Sequence, residues 1–191
     1  MERIGLFGGS FDPVHLGHLL VAQAAREELD LSRLFFIPAA QSPFKPDAQP
    51  SPAPERLRLL RLALAGQAWC EIDDQELHRG GLSYTVDTLR DYARRFPDAQ
   101  HFYLVGADHL PQLLQWRAAE ELARLVEFVV IPRPGQAEAP FPEPFRGRWL
   151  KGFPLGVSSS QIRARAKAGL PINHLVPSPV AEAIRNNRLY L

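Results

Sequence analysis

Two histidines near the start of the sequence follow a pair of glycines, in a pattern suited to binding phosphate. Residues 8–18 read Gly-Gly-Ser-Phe-Asp-Pro-Val-His-Leu-Gly-His. An apolar run at residues 4–7 predicts a buried strand before this motif, and residues 19–28 predict a helix after it. A glycine-rich turn there would leave N–H groups free at the positive end of the helix dipole, where anions bind. His15 and His18 are three residues apart, so they can share one face and contact one phosphate.

The motif differs from the two common phosphate-binding fingerprints. It lacks the Gly-Lys-Ser/Thr ending of a P-loop and the Gly-x-Gly-x-x-Gly spacing of a dinucleotide fold. A tight turn whose histidines cap a helix would explain any one of these residues alone. The complete pattern, placed directly after a predicted strand, favours a phosphate site.

A second candidate anion site lies far along the chain. Ser158, Ser159 and Ser160 precede a predicted short helix, and Arg163 follows one turn into it. Hydroxyls, amide N–H groups and a guanidinium are all phosphate ligands, although a serine cap with a solvated arginine is the alternative. We expect two helix N-termini, from opposite ends of the chain, to hold a triphosphate between them.

Other candidate residues carry weaker signals. Lys45 stands in a proline-rich loop at residues 41–54 and would alone be an exposed lysine. Asp108 follows a predicted strand and can accept from ribose hydroxyls or cap the next helix. Trp116 falls within a predicted helix, where a core position is more common than a stacking surface. The remaining histidines have no metal-ligand spacing, so no structural zinc is expected.

Strand-like and helix-like segments alternate along the chain. Strands are predicted at residues 4–7, 34–38, 69–72, 101–106, 127–132 and 148–155. Helices are predicted at residues 19–28, 55–64, 83–96, 110–125, 158–163 and 179–187, with Ser83 or Thr85 capping the third and Ser178 the last. Continuous apolar strands separated by helices are typical of a parallel sheet covered on both faces.

The predicted fold is therefore α/β, a doubly wound and mainly parallel sheet with a small C-terminal helical segment. We expect one domain over residues 1–191, with residues 156–191 as a helical subregion. Ligands of such folds bind at the carboxyl ends of the strands. The first motif, Gly106, Asp108 and Arg133 all follow predicted strands, so they should share one edge of the sheet.

The composition excludes several classes of protein. The 191 residues are 46% hydrophobic, carry a formal net charge of +1 and include one cysteine. The near-zero charge argues against a nucleic-acid binder, and no apolar stretch is long enough to span a bilayer. A single cysteine allows no internal disulfide, so we expect a reduced, cytoplasmic setting without a signal peptide. A homo-oligomer is compatible with this pattern.

Both motifs resemble a known family. Residues 8–13 with His15-x-Gly17-His18 look like the signature of the nucleotidylyltransferase superfamily, and residues 158–163 resemble its second motif. Within it, the bacterial nicotinate-nucleotide adenylyltransferases are similar in residues 83–89, 106–108 and 133–135, in Trp116 and in the ending from Val176 to Tyr190. That family usually has histidine where this chain has Phe44, and threonine where it has Ser160.

The resemblance implies that nicotinate mononucleotide attacks the α-phosphate of ATP and releases pyrophosphate, without a covalent enzyme intermediate. Mg²⁺ would arrive with the ATP phosphates. The implied catalytic residues are His15, His18 and Arg163. The implied ATP-binding residues are Gly8, Gly9, Ser10, Phe11, Gly106, Asp108, Ser159, Ser160 and Arg163. The implied mononucleotide-binding residues are Lys45, Tyr84, Thr85, Trp116 and Arg133.

Three alternatives remain at this stage. A phosphopantetheine adenylyltransferase is the nearest, but that family usually has threonine at the position of His15. A cytidylyltransferase for a polyol or choline phosphate would leave Tyr84 and Trp116 unexplained. A non-catalytic nucleotide-binding regulatory module is opposed by the intact His15, His18 and Arg163. The preference for nicotinate over nicotinamide mononucleotide stays open.

Overall fold

A six-stranded parallel sheet is the frame of the part of the chain that the computed structural model describes, residues 1–44 and 49–191. The strands are β1 (Arg3–Gly9), β2 (Arg33–Pro38), β3 (Cys70–Ile72), β4 (Gln100–Gly106), β5 (Glu127–Ile131) and β6 (Gly147–Trp149). Their order across the sheet is β3-β2-β1-β4-β5-β6, and every neighbouring pair is parallel. The order reverses between β1 and β4, so this is a doubly wound sheet with its crevice at their carboxyl ends. The predicted fold class is confirmed.

Helices cover both faces of this sheet. They are α1 (Leu16–Leu29), α2 (Ala53–Leu64), α3 (Gln75–Arg79), α4 (Thr85–Arg95), α5 (Ala119–Leu125), α6 (Ser159–Lys167) and α7 (Ser178–Asn186), with a 3₁₀ segment at Ala107–Gln115. Helices α1, α2, α6 and α7 pack with Phe7 and Phe36 on one face. Helices α4 and α5 and the 3₁₀ segment pack with Leu6 and Phe35 on the other. Successive strand residues point to opposite faces, which explains why the strands are continuously apolar.

Gly8 and Gly9 belong to β1, whereas we predicted them in the turn. They continue the parallel pairing with β2, opposite Ile37 and Pro38. A Cβ atom on Gly8 would lie 2.6 Å from the Tyr103 hydroxyl oxygen, so any larger residue here would require the Tyr103 ring to shift. The turn of the first motif therefore begins at Ser10.

The predicted helix at residues 110–125 is wrong. The 3₁₀ segment contains Pro111, which has no N–H to donate, and Ala118 has a left-handed φ of 55° just before α5. The 3₁₀ segment ends at Gln115 and α5 begins at Ala119, so the predicted helix is divided between these residues. Trp116 consequently lies between two helical pieces rather than inside one.

The predicted strand at residues 148–155 is also too long. The carboxylate of Glu28 accepts hydrogen bonds from the main-chain N–H groups of Lys151 (2.9 Å) and Gly152 (2.8 Å). These groups are thus engaged by α1 rather than by the sheet, and β6 ends at Trp149. The chain beyond it forms one wall of the cleft described below.

Helix starts are only partly as predicted. Ser158 caps α6 in a reciprocal capping box with Gln161, which is the serine cap that we weighed as the alternative to an anion site. Helix α4 is preceded by Tyr84, and neither Ser83 nor Thr85 caps it, because the Ser83 hydroxyl accepts from the Ala40 N–H at 2.9 Å.

The remaining differences lie in α2, α3 and α7. Helix α7 begins at Ser178, after Pro177. The short helix α3 was not predicted. The buried face of α2 includes Arg56 and Leu59, whereas Leu57 is only half-buried. The single-domain assignment, with residues 156–191 as a subregion, stays a prediction.

Candidate active site

A cleft of about 690 Å³ opens at the carboxyl edge of the sheet, where β1, β4 and β5 end. This volume lies in the usual range of small-ligand sites. Predicted site residues that line it are Ser10, Phe11, His15, His18, Gly106, Arg133, Ser159, Ser160 and Arg163. Predicted site residues outside its lining are Gly8, Gly9, Tyr84, Thr85, Asp108 and Trp116. Lys45 lies outside the described residues.

The two histidines form a stacked pair at the start of α1. Their ring centroids are 3.7 Å apart and the rings are inclined by 30°. The main-chain N–H of His15 donates to Nδ1 of His18 at 3.1 Å. Because Nδ1 accepts, Nε2 of a neutral His18 carries the ring proton and can donate to a ligand. The predicted shared face is confirmed, although His15 immediately precedes α1 rather than belonging to it.

Burial keeps both imidazoles uncharged. It lowers the pKa of His15 to about 4. Burial also holds the pKa of His18 well below its usual range, and the neighbouring His15 lowers it further. At neutral pH the two imidazoles are therefore uncharged N–H donors. An anion can accept hydrogen bonds from them, and no counterion of a charged imidazole has to be displaced first.

Gly17 brings the histidine pair against the second motif. A Cβ atom at this position would lie 3.0 Å from two ring atoms of His15 and 3.1 Å from Cγ1 of Val157. One amide at this helix end is already engaged, because the Leu16 N–H donates to the Leu175 carbonyl at 2.9 Å. The N-terminus of α1 is thus less free than we predicted.

Direct hydrogen bonds join the second motif to the first. The Ser159 hydroxyl donates to the Pro13 carbonyl oxygen at 2.9 Å. Arg163 donates from Nη1 to the Asp12 carbonyl oxygen at 2.7 Å, and from Nη2 to the Ser160 hydroxyl at 3.3 Å. Residues about 150 positions apart in sequence therefore face one cleft, as we predicted for the two helix N-termini.

A buried arginine supports the turn of the first motif and was missed in the sequence. Arg56 is 1% exposed. It donates to three carbonyl oxygens: those of Ser51 (2.9 Å), Ser10 (2.8 Å) and Ala39 (2.9 Å). Burial lowers the pKa of Arg56, and the nearby Asp12 carboxylate partly offsets this. Its spacing from Leu59, Leu60 and Ala63, an arginine on an otherwise apolar helix face, was the available signal.

Asp108 and Arg133 form an ion pair at the ends of β4 and β5. Arg133 donates from Nε to Oδ2 of Asp108 at 2.8 Å, and from Nη2 to the same oxygen. Both side chains are more than half exposed. The pair stands at the cleft entrance beside Gly106, where either partner can turn to a ligand.

A second cluster, the aromatic cluster, adjoins the end of β1 on the opposite face of the sheet. It consists of Phe44, Tyr84, Thr85, Tyr103 and Trp116. The ring centroids of Phe44 and Trp116 are 5.4 Å apart, and Tyr103 contacts Trp116 edge to face. The Thr85 and Tyr103 hydroxyl oxygens are 3.4 Å apart. The N-terminus of α4 lies in this cluster, so an anionic group is favoured beside these rings.

Tyr103 is the residue that connects the aromatic cluster to the strand end. Its hydroxyl lies against Gly8, and burial raises its pKa well above the usual range. The sequence showed it only as one residue of a buried strand. Trp116 is 9% exposed, so it is mostly core.

A doubly wound parallel sheet with a cleft at its switch point, lined by groups that suit anions, is typical of the nucleotidylyltransferase fold. The Cytidylyltransferase-like family model matches residues 6–165. A probable nicotinate-nucleotide adenylyltransferase of Opitutus terrae is 43% identical, over 98% of this chain and 97% of that protein. The one of Herpetosiphon aurantiacus is 38% identical, over the full length of both. This chain belongs to the nicotinate-nucleotide adenylyltransferase family.

Solved structures are similar in fold. Nicotinic acid mononucleotide adenylyltransferase of Plasmodium falciparum, in complex with NaAD, superposes with a TM-score of 0.82 at 18% identity and covers 100% of this chain and 98% of that one. A putative nicotinate-nucleotide adenylyltransferase of Vibrio parahaemolyticus gives a TM-score of 0.73 at 20% identity, covering 100% and 96%. Among the residues described here, no helix is both long and apolar enough to cross a membrane.

Proposed function

We propose that this protein transfers the adenylyl group of ATP to nicotinate mononucleotide, forming nicotinate adenine dinucleotide and pyrophosphate. A phosphate oxygen of the mononucleotide forms a bond to the α-phosphorus of ATP. The bond from that phosphorus to the oxygen bridging the β-phosphate breaks, and pyrophosphate leaves with the electron pair. The attacking phosphate is already an anion at neutral pH, so no strong base is required. We expect catalysis by positioning and charge stabilisation.

The observation that carries this proposal is the joining of the two motifs around one cleft. Arg163 and Ser159 contact the main chain of the turn that precedes His15. A ligand in this cleft meets neutral imidazole donors from one side and a guanidinium from the other. This arrangement suits a polyphosphate whose charge shifts toward the leaving group during reaction.

We assign the ATP phosphates to this cleft, with His15 and His18 near the α-phosphate. Arg163, Ser159 and Ser160 would hold the β- and γ-phosphates that leave. The adenosine part would extend toward Gly106 and the exposed Asp108, whose carboxylate can accept from ribose hydroxyls. Ser10 and Phe11 would form the floor, and Gly8 and Gly9, which lie outside the cleft lining, would contribute only through the backbone of β1 that leads to it.

We assign the mononucleotide to the aromatic cluster. The N-terminus of α4, at Tyr84 and Thr85, would bind the nicotinate carboxylate, and Trp116 would stack on the pyridine ring. Phe44 lies on Trp116 and adds an apolar surface where the family usually has a hydrogen-bonding histidine. Arg133, together with Lys45, would neutralise phosphate charge between the two substrates.

Mg²⁺ is proposed to enter with ATP. Imidazoles, serine hydroxyls and guanidinium groups, which suit anions, line the cleft. Asp12 is the one carboxylate among the described lining residues, and its two oxygens accept from Ser51 and Tyr190. The described part of the chain gathers no group of three His, Cys, Asp or Glu residues able to hold a metal ion. This fits an ion held by the ATP phosphates and water, where it would neutralise negative charge. The proposed location is the cytoplasm, because both substrates are nucleotides of the cell interior.

The proposal is tested by measuring pyrophosphate release with ATP and three acceptors. The acceptors are nicotinate mononucleotide, nicotinamide mononucleotide and phosphopantetheine, and the nucleotide product is identified by mass. We expect nicotinate adenine dinucleotide, and loss of turnover when EDTA removes Mg²⁺. Turnover only with phosphopantetheine would reject the assignment. ATP binding without any turnover would support a regulatory module instead.

A matched pair of variants tests the histidine site. His18→Ala should lower kcat about a hundredfold or more, the usual scale for loss of a transition-state donor. His174→Ala, at an exposed position outside the cleft lining, should leave kcat within twofold of the wild type. Equal kcat values for the two variants would remove His18 from the reaction.

A further inference from the structure

Asp12, at the centre of the first motif, is a buried carboxylate with both oxygens engaged. It is 6% exposed. Its Oδ2 accepts from the main-chain N–H of Ser51 at 3.0 Å, and its Oδ1 accepts from the hydroxyl of Tyr190 at 2.9 Å. A buried carboxylate is costly unless hydrogen-bonded. These two contacts therefore determine where the Asp12 side chain, and the turn that carries it, can lie.

The main chain at Asp12 is also the anchor of the second motif. Its carbonyl oxygen accepts from Nη1 of Arg163 at 2.7 Å, and the next carbonyl, of Pro13, accepts from the Ser159 hydroxyl. A shift of Asp12 would thus move the acceptor that orients Arg163. Asp12 therefore connects Tyr190, which donates to its side chain, to Arg163, which donates to its carbonyl oxygen and is expected to bind phosphate.

Arg56 holds the other side of the same turn. Its guanidinium donates to the carbonyl oxygen of Ser10, two residues before Asp12. It also donates to the carbonyl oxygen of Ser51, whose N–H donates to the Asp12 carboxylate. The turn is therefore fixed between a buried cation at one side and the Tyr190 hydroxyl at the other. Arg56 lies on α2, whereas Tyr190 comes from the segment after α7, so the two supports are independent in sequence.

Tyr190 donates from its hydroxyl to the Asp12 carboxylate at 2.9 Å, and the hydroxyl also lies near Ser51. Its side chain packs beside the core cluster under α1 and α7, and it does not line the cleft. Its backbone has a left-handed φ of 69°, an uncommon conformation for a tyrosine. Burial and the nearby Asp12 carboxylate raise the pKa of the hydroxyl above its usual range, so it stays a donor at neutral pH.

We infer that Tyr190 is a positioning residue of the adenylyl-transfer site: through Asp12 it orients Arg163 toward the phosphates of ATP. The inference rests on the proposed function for its kinetic readouts. Tyr190 touches neither substrate, so its removal should affect the ATP side selectively. A displacement of up to 1 Å at a substrate contact costs as much as about a hundredfold in rate.

The test compares Tyr190→Phe with Tyr92→Phe. Tyr92 is a buried tyrosine on the other face of the sheet, and its hydroxyl donates to the carboxylate of Asp73 at 2.6 Å. Both substitutions remove one hydroxyl from one Tyr–Asp hydrogen bond and keep the ring. The control thus matches the loss of stability without touching the first motif.

We expect Tyr190→Phe to lower kcat/KM for ATP about tenfold, with the KM of nicotinate mononucleotide within twofold of the wild type. Tyr92→Phe should leave both constants within twofold, although urea unfolding should show that both variants lose stability. Equal kinetics for the two variants would overturn the inference. So would an equal loss toward both substrates, because that pattern indicates a general structural effect.

A double-mutant cycle tests the route through Arg163. Arg163→Lys should cost less in the Tyr190→Phe background than in the wild type, since the two residues act as one unit. Strictly additive effects would overturn the route. If the wild type fails to use nicotinate mononucleotide, the proposed function fails, but calorimetric binding of ATP still tests the inference. Tyr190→Phe should then weaken ATP binding about tenfold, and unchanged binding would reject it.

Discussion

The contact of Gly17 with the histidine pair leads to a prediction that separates activity from stability. In Gly17→Ala the new methyl group would lie 3.0 Å from the His15 ring and 3.1 Å from Val157. Ordinary carbon contacts are about 3.5–4.0 Å, so the ring must give way by a few tenths of an ångström. A misplacement of about 1 Å costs about a hundredfold in rate, and this smaller shift should cost less. We expect kcat to fall about tenfold.

Stability should change little in the same variant. Alanine is favoured over glycine in a helix by about 1 kcal/mol, and an off-rotamer shift of a side chain costs about 0.5–1.5 kcal/mol. These two effects oppose each other, so the free energy of unfolding should stay within about 1 kcal/mol of the wild type. The assays are pyrophosphate release at saturating substrates and urea unfolding.

Shortening Val157 provides the control for this prediction. Val157→Ala removes the Cγ1 atom that the new methyl group would meet. The kcat of the double variant Gly17→Ala/Val157→Ala should therefore be at least threefold higher than that of Gly17→Ala. If Gly17→Ala keeps kcat within twofold of the wild type, or if the double variant is no faster than Gly17→Ala, the steric reasoning is refuted.

Three further predictions concern the histidine pair, the ion pair and the aromatic cluster. Because the pKa of His15 is about 4 when folded and about 6.5 in a model peptide, the unfolded state binds more protons between these values. The free energy of unfolding should therefore fall by about 3 kcal/mol as pH drops from 6.5 to 4. In urea unfolding, His15→Gln should weaken this pH dependence. The same pH dependence in His15→Gln and the wild type would contradict the prediction. Asp108→Asn breaks an exposed ion pair, so unfolding should change by less than about 1 kcal/mol, while the ATP KM rises severalfold; an unchanged KM would remove Asp108 from the nucleotide site. Trp116→Phe keeps an aromatic ring in the core and should raise the mononucleotide KM severalfold more than the ATP KM; the opposite ranking would place Trp116 elsewhere.

The elements of this fold could be predicted because their signals are local. Apolar runs such as residues 101–106 report burial on both faces of a parallel sheet. The errors arose where a distant contact decides the local structure. Gly8 is in the strand because it pairs with Ile37 of β2, and β6 is short because Glu28 engages the amides that follow it. Neither partner is visible in a window of neighbouring residues.

The candidate site shows the same division. The residues expected to meet phosphate, His15 and Arg163 among them, were predictable because their types suit that chemistry directly. Their supports, Arg56, Tyr103 and Tyr190, were not predicted. The apolar helix face around Arg56 indicates burial, but neither a buried arginine nor a buried tyrosine shows in the sequence which partners it contacts. Only the three carbonyl oxygens around Arg56 explain why an α2 residue matters to the first motif.

The candidate phosphate site depends on contacts between the first motif and the C-terminal part of the chain. Arg163 and Ser159 reach back about 150 residues to the first motif, Leu175 accepts from the first amide of α1, and Tyr190 reaches Asp12. The packing of this C-terminal part of the chain on the first motif therefore completes the cleft. A ligand that binds only the assembled cleft must stabilise that packing by the same free energy that it gains on binding. Binding of ATP and docking of the segment after β6 are consequently linked in this fold, and variants in that segment can weaken ATP binding without touching ATP.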